Sequence, residues 1–276
     1  MSDLTVNCFR SQDLRAIRSE TFVEAIDFLP RLGSTNDRAI ELMASSGTAY
    51  PLLVLTESQT AGRGRGANVW WSGRGALTFS IVLATDANQL PTESWPQVSL
   101  TAGLAVCEAL EELLSQGVPP ASLSGSPTVQ LKWPNDVYLE GRKICGILVE
   151  VPPKSSGKLL VGIGINVNNS TENAPPSIQT LATSLTDATG QQFALTEVLI
   201  HVLRRLSKRL QPGEFWNADV LNGWRQRCYL SHKSIEIDNG ARQVQGFCRG
   251  IDDGGALQLE VNGEIQQHLA GVIKLL

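Results

Sequence analysis

No run of apolar residues in this sequence approaches the roughly eighteen that a membrane-spanning helix needs, so none of it reads as a helix crossing a bilayer. The first twenty residues lack an apolar segment of any kind. Asp3, Arg10, Asp13, Arg15, Arg18 and Glu20 are spread through them, which argues against a secretory signal and for a cytoplasmic protein. Cysteines are few and scattered: Cys8, Cys107, Cys145, Cys228 and Cys248 form no C-x-x-C pair. An odd, dispersed set fits reduced thiols better than a disulfide framework. The three histidines, His201, His232 and His268, are equally isolated, so no zinc-ligand spacing exists and no metal held by protein ligands is expected. An excess of positive charge is missing too. The 23 basic and 27 acidic residues leave a net charge of −4, whereas a protein built around DNA carries a basic footprint.

What is present suits a folded chain. Its 276 residues are 42% hydrophobic and 18% charged, enough for one large domain, or a large and a small one, with no disulfide or metal needed. Ala39, Ile40, Leu42 and Met43 predict a helix over 34–46, capped by Ser34 or Thr35 and stopped by Gly47. Leu52 to Glu57 reads as a short strand. Leu77, Phe79, Ile81 and Leu83 alternate with Thr78 and Ser80, the period of a strand, and Val98 to Ser115 has helical spacing. Further strands are expected at 129–132, which Pro134 ends, and at 159–167. Residues 137–139 and 143–150 flank a turn at Gly141 and read as a hairpin. Helices over 193–210 and 214–227 follow, separated by Pro212-Gly213. From Tyr229 the character changes to short alternating runs parted by Asn239-Gly240, Gly254-Gly255 and Asn262-Gly263, which are hairpin signals of a small β module.

Three segments could carry chemistry. Gln59-Thr60-Ala61-Gly62-Arg63-Gly64-Arg65-Gly66 follows the strand at Leu52. Glycine lets backbone amides converge on an anion, and arginine adds permanently charged, forked donors. It reads equally as a solvated Gly-Arg loop or an RNA-binding tract, and it fits neither the P-loop nor a dinucleotide fingerprint. In the second segment, Lys132-Trp133-Pro134-Asn135-Asp136 precedes Arg142-Lys143-Ile144-Cys145-Gly146 and runs on to Glu150. Lys143 opens an apolar strand, where it either snorkels to water or pairs with an anionic ligand. The third is Gly162-Ile163-Gly164-Ile165-Asn166-Val167, whose glycines weaken a strand unless something approaches its backbone closely. Asn166 is there either a satisfied core amide or a reader of an adenine edge.

Ser34-Thr35-Asn36, Gln59 to Arg65, Lys132 to Asp136, Arg142 to Glu150 and Gly162 to Val167, in this order, resemble the biotin–protein ligases, over roughly Arg31 to Asn168. The resemblance implies an α+β fold, with a mixed β-sheet of class II synthetase type and helices packed on one face. It also implies a catalytic domain over 1–228 and an SH3-like β barrel over 229–276. The implied activity is that of a biotin–[acetyl-CoA-carboxylase] ligase: biotin and Mg-ATP give biotinyl-AMP, and biotin passes to a lysine of a carrier protein. Lys143 and Arg65 would be catalytic. Ser34, Thr35, Asn36, Gln59, Arg63, Gly64, Arg65, Lys143 and Gly146 would bind biotin. Arg63, Arg65, Trp70, Lys132, Asn135, Asp136, Lys143 and Asn166 would bind ATP and the adenylate. The implied cofactors are ATP and Mg²⁺, and the implied partner is the biotin carboxyl carrier protein, with no DNA and no membrane; a homodimer is left open.

The family's loop continues with more basic residues, where this chain has Gly66-Ala67-Asn68-Val69 before Trp70. Bifunctional relatives carry an N-terminal winged helix. About thirty residues precede Ser34, too few for that domain, so a monofunctional ligase is expected. A lipoate ligase or octanoyltransferase would share the sheet and a lysine, and a non-catalytic binding protein would share only the shape; retention of Arg63, Arg65 and Lys143 together argues against the latter. Arg204, Arg205, Lys208 and Arg209 read as the solvated face of a helix. Cys145 reads as packing filler.

Overall fold

Leu77, Phe79, Ile81 and Leu83 on one side of a strand, and Thr78, Ser80 and Val82 on the other, give that strand two unlike faces. The computed structural model describes residues 7–84, 94–117, 127–152 and 157–276; Asp3, one of the N-terminal charges read above, lies outside them. It places this strand, β5 (Leu77–Ala84), inside a seven-stranded sheet. The spatial order is β1 (Ala25–Phe28), β3 (Leu52–Thr56), β5, β9 (Lys158–Ile165), β8 (Arg142–Glu150), β7 (Asp136–Leu139), β6 (Val129–Lys132). Only β1 and β3 run parallel. A short parallel pair, β2 (Arg31–Leu32) and β4 (Ser58–Gln59), stands beside it.

The apolar side of β3, β5 and β9 packs against α3 (Trp95–Gly117) and α6 (Leu195–Arg209) in one core that includes Leu53, Phe79, Ile163, Leu104 and Val202. Flanking this layer are α1 (Ser11–Glu20) and α7 (Ala218–Arg227). Not all helices share that face. On the opposite side, α2 (Thr35–Met43) covers Leu52, Val54, Val82 and Leu160 with Ala39. Beyond this patch the same side of the sheet turns polar, with Thr78 and Ser80, and small, with Gly162 and Gly164; α2 stops short of it, and a cleft remains.

The expectation of a solvated face on α6 holds for Arg204 and Lys208, which are exposed, and fails for Arg209, which is buried. Arg204 pairs with Glu20, Arg205 with Glu112, and the buried Arg209 with Glu108 and Asp219. They tie α6 to α1, α3 and α7, and only Lys208 of the four has no such pairing. Two short helices, α4 (Pro176–Gln179) and α5 (Leu185–Thr189), lie between β9 and α6 in the chain.

The last five strands form an antiparallel sheet in the order β13 (Glu264–His268), β12 (Leu257–Val261), β11 (Gln243–Ile251), β10 (Ser234–Asp238), β14 (Val272–Leu275). It is a meander whose final strand returns beside the first, a small β domain of the kind expected. The two-residue turn Asn262-Gly263 has positive φ at both positions, +53° and +85°, as a tight hairpin requires. One turn of this module is tied to the rest of the chain by two indoles. Trp133 Nε1 donates to Gly255 O at 3.0 Å, and Trp216 Nε1 donates to Asp253 O at 2.8 Å. Ile235, Ile237, Leu257 and Leu259 extend the main core into it. Among the described residues no helix is long and apolar enough to cross a membrane.

Candidate active site

The polar face of the sheet is built in cross-strand rows. Thr78, Gly164, Gly146 and Asp136 are successive neighbours across β5, β9, β8 and β7, and Ser80, Gly162 and Leu148 form the next row. Each glycine accommodates an approaching side chain. A Cβ on Gly162 would lie 2.2 Å from Asn36 Oδ1, and one on Gly164 would lie 2.3 Å from the Trp70 indole. The sequence flagged a close approach to this strand; the structure shows that Asn36 and Trp70 make it.

Lys143 reaches this floor because β8 carries a bulge. Val137 faces Cys145 but Tyr138 faces Lys143, leaving Ile144 as the extra residue. In a regular strand Lys143 and Gly146, three apart, would point to opposite faces; one inserted residue puts them on the same face. Lys143 Cε and Nζ accordingly lie 3.3 Å from where a Gly146 Cβ would be. Its ammonium sits 2.6 Å from Asp136 Oδ1, so the lysine is held over the cleft by a carboxylate one strand away.

The start of α2 supplies the next wall. Ser34 caps the helix, its hydroxyl accepting from Asp37 N, and leaves Thr35 and Asn36 in the first turn. Gln59 Oε1 accepts from Thr35 N at 2.7 Å and from Thr35 Oγ1 at 3.1 Å. Ser80 Oγ lies 2.7 Å from Thr35 Oγ1 and 2.5 Å from Asn36 Oδ1, and Asn36 Nδ2 donates to Glu150 at 2.6 Å. Ser34, Thr35, Asn36 and Ser80 are all buried. Buried polar groups linked this closely have their orientations set before any ligand arrives.

The Gly-Arg segment is a small hairpin. Trp70 N donates to Gly62 O at 3.0 Å, Gly64 N to Asn68 O at 2.8 Å, and Asn68 N to Arg65 O at 3.1 Å. Gly66 at φ +61° completes the turn, so Gly66 and Asn68, where the family pattern has basic residues, sit at its exposed tip. Arg63 gives both terminal nitrogens to the Glu150 carboxylate at 2.8 Å, and Nη2 also contacts Asp37 at 2.9 Å. The Glu150 hydrogen bonds raise the Arg63 pKa above its already high ordinary value, against burial, so the guanidinium is always charged. Among the described residues the Arg65 side chain makes one hydrogen-bond contact, at 3.4 Å with Asn135 Oδ1. Asn135 is itself fixed by Nδ2 donating to Ile147 O at 2.7 Å.

These walls enclose a cavity of about 790 Å³, whose rim includes Leu181 and, from the small β domain, Asn239 and Val272. Residues 28–168, which hold the floor, the hairpin and Lys143, match the family described as "Biotin/lipoate A/B protein ligase family". The chain belongs to that family. It is 32% identical, over 89% of its length and 87% of the other's, to the biotin–[acetyl-CoA-carboxylase] ligase of Mycobacterium tuberculosis. With the bifunctional ligase/repressor BirA of Bacillus subtilis it shares 31% identity, over 94% of this chain and 76% of that one. Among solved structures, the biotin protein ligase of Aquifex aeolicus in complex with biotin and ATP superposes with a TM-score of 0.75 at 29% identity, over 91% of this chain and 99% of that one.

In this ligase fold the expected residues converge on one cavity: Ser34, Thr35, Asn36, Gln59, Arg63, Gly64, Arg65, Trp70, Lys132, Asn135, Asp136, Lys143, Gly146 and Asn166 all line it. For two of them the structure adds contacts within the protein. The Asn166 amide is buried and engaged by the protein, Nδ2 donating to Thr183 O and Oδ1 accepting from Asn169, both at 3.0 Å. That geometry makes it a brace of the floor. Lys132 Nζ lies 5.4 Å from the Tyr138 ring centre, at the edge of the site. Cys145 is fully buried, and burial pushes its thiol well above the usual cysteine range, as an inert filler would show. Three polar residues that hold lining side chains in place were absent from the sequence-based set: Ser80, Asp37 and Glu150. Ser80 stood in the alternating strand and Glu150 closed a quoted motif, but neither spacing nor type pointed to a role. Among the described residues no cluster of three or more His, Cys, Asp or Glu is arranged to hold a metal.

Proposed function

We propose that the cleft joins biotin to ATP as biotinyl-AMP and then passes the biotinyl group to a lysine of a carboxylase carrier domain. The observation that carries this reading is Lys143, set by the bulge between a hydroxyl- and amide-lined pocket and the Gly-Arg hairpin. A carboxylate and a triphosphate repel each other, and a preorganised cation between them lowers the barrier most where charge develops. In the first step a biotin carboxylate oxygen attacks the α-phosphorus and pyrophosphate leaves with the broken P–O bond. In the second the carrier's amine attacks the acyl carbon, AMP leaves, and the amine gives up a proton. Lys143 and Arg65 neutralise the anions, Asp136 holds the Lys143 ammonium in place, and magnesium enters as part of the nucleotide substrate. Trp70 and Asn135 shape the nucleotide side.

The pocket at the start of α2 favours biotin over lipoate. Its buried hydroxyls and amides can meet a ureido ring's donors and acceptors, which a dithiolane lacks. The net charge of −4 offers no footprint for DNA. Residues 229–276 form the smaller domain in this reading, and five free thiols suit the cytoplasm.

Incubation with biotin, Mg-ATP and an apo carrier domain tests the transfer. One biotinyl group should be added to the carrier, and none to a carrier whose acceptor lysine is replaced by arginine; equal labelling of both would contradict specific transfer. The floor makes a second prediction. Gly162→Ala drives a methyl group into Asn36 and should raise the KM for biotin by at least about tenfold, the cost of one misplaced polar partner. The same overpacking should cost about 1–3 kcal/mol of stability, and an unmoved KM would remove Asn36 from the pocket.

A further inference from the structure

Glu150 ends β8, on the opposite side of Lys143 from the turn at Gly141, and closes the Arg142 to Glu150 segment without its residue type pointing to a role. In the structure it is the point at which two walls of the cleft are joined. Its two oxygens accept from Arg63 Nη1 and Nη2 at 2.8 Å each, and Oε2 accepts from Asn36 Nδ2 at 2.6 Å. Asn36 is thereby oriented: its Nδ2 is spent on Glu150, its Oδ1 faces Ser80 at 2.5 Å, and Gly162 leaves it room. Arg63 is committed through its two terminal nitrogens. They face two carboxylates, Glu150 and Asp37, while its buried Nε has no partner among the described residues. A guanidinium matched by two carboxylates has no positive charge to spare for an incoming carboxylate or phosphate. Arg65, two residues on and hydrogen-bonded among the described residues to Asn135 alone, has.

We propose that Glu150 is a positioning residue of the biotin site, bracing Asn36 and Arg63 together so that the Gly-Arg hairpin closes on the ring pocket, and that Arg65 alone of the two arginines supplies charge to the reacting anions. This rests on the ligase reading above and divides the labour within it. Arg63 acts through Glu150, on the ring side. The bidentate geometry matters, because a lysine at position 63 could keep the charge but not both hydrogen bonds.

Biotin-dependent ATP–pyrophosphate exchange tests this with E150Q, R63K, the double variant E150Q/R63K, and R65A. E150Q should raise the KM for biotin about tenfold, in line with loss of charge-assisted hydrogen bonds, with kcat within about twofold and the KM for ATP unmoved. R63K should show the same pattern, and the double variant should be no worse than either single one, the signature of two groups acting as one unit. R65A should instead lower kcat. R63K lies on the hairpin, away from the core, so it reports on the brace even if E150Q folds poorly. An unmoved KM for biotin in R63K overturns the inference, as does strict additivity of E150Q and R63K, or a fall in kcat as large in R63K as in R65A. Absence of exchange in the wild type with any acid overturns the ligase reading and this inference with it; normal wild-type exchange with an unmoved KM in the variants overturns this inference alone.

Discussion

Lys143→Met lowers the kcat of biotin-dependent pyrophosphate exchange by about 10²–10³-fold, the usual loss when one preorganised donor to a developing anion is removed. The KM for biotin changes little, because the ring pocket is made by α2, Gln59 and Ser80, which Lys143 does not touch. Methionine keeps most of the side chain's volume and flexibility, so the loss reports charge rather than packing. The lysine cannot be replaced functionally by arginine either. Cε and Nζ already lie 3.3 Å from the Gly146 Cβ position, beside the Trp70 ring, and a planar guanidinium would need more room than that floor allows. Steady-state exchange kinetics on Lys143→Met and Lys143→Arg check both statements. Activity of Lys143→Met within about threefold of the wild type would remove the lysine from the chemistry.

The second large effect lies outside the cleft. Arg209→Ala costs about 3 kcal/mol of stability, because it leaves a buried carboxylate without its cation. The Arg209 side chain is 8% exposed and Glu108 only 13%, whereas the second partner, Asp219, is 72% exposed and contributes little. Urea unfolding measures the loss, and a double variant in which Arg209 and Glu108 both become methionine should recover most of it. The pH dependence has a definite sign. The Arg209 guanidinium holds the Asp219 carboxyl below its ordinary range near 3.8, so that contribution is complete above that value and disappears as pH falls through the lower folded-state value. The gap between wild type and Arg209→Ala should therefore narrow in acid only by the small share that Asp219 contributes. A gap below about 1 kcal/mol at neutral pH would mean that the pair breaks even against its desolvation.

Arg209 also shows where reading a chain element by element stops working. The basic run on α6 looked solvent-facing because its partners, Glu108 and Glu112, lie on α3, about a hundred positions earlier. Helical periodicity within α6 carries no information about what faces it. The strands and the larger helices were legible because their apolar alternation or spacing is local: β5, α2 with its Ser34 cap, and the Asn262-Gly263 hairpin all stand where residue pattern put them. Helix α1 was not legible, since Ile17 is its one fully buried residue and no apolar stripe marks it. Strands β11 and β14 were missed for a related reason, their alternation being interrupted by glycines and exposed apolar residues.

The site divides the same way. Glycines at 162 and 164 announce that something approaches the backbone, because little else explains them inside a β-branched strand. Which groups approach is settled by long-range register. The bulge at Ile144, which turns Lys143 onto the cleft face, is a property of β8 pairing with β7, and single-strand alternation would have put the lysine on the wrong side. Glu150 is the clearest case. Its partners are 87 and 114 positions away in the chain, and an acidic residue closing an apolar strand is most simply read as its solvated end.

The central claim is that this cleft adenylates biotin. Its most direct test is ATP–pyrophosphate exchange by the purified protein with Mg²⁺, supplied in turn with biotin, lipoate and octanoate. Exchange that depends on biotin and not on the other two acids is the predicted result. Exchange supported by lipoate or octanoate instead would keep the fold and the lysine chemistry but contradict the reading of the ring pocket, and exchange with none of the three would contradict adenylation itself.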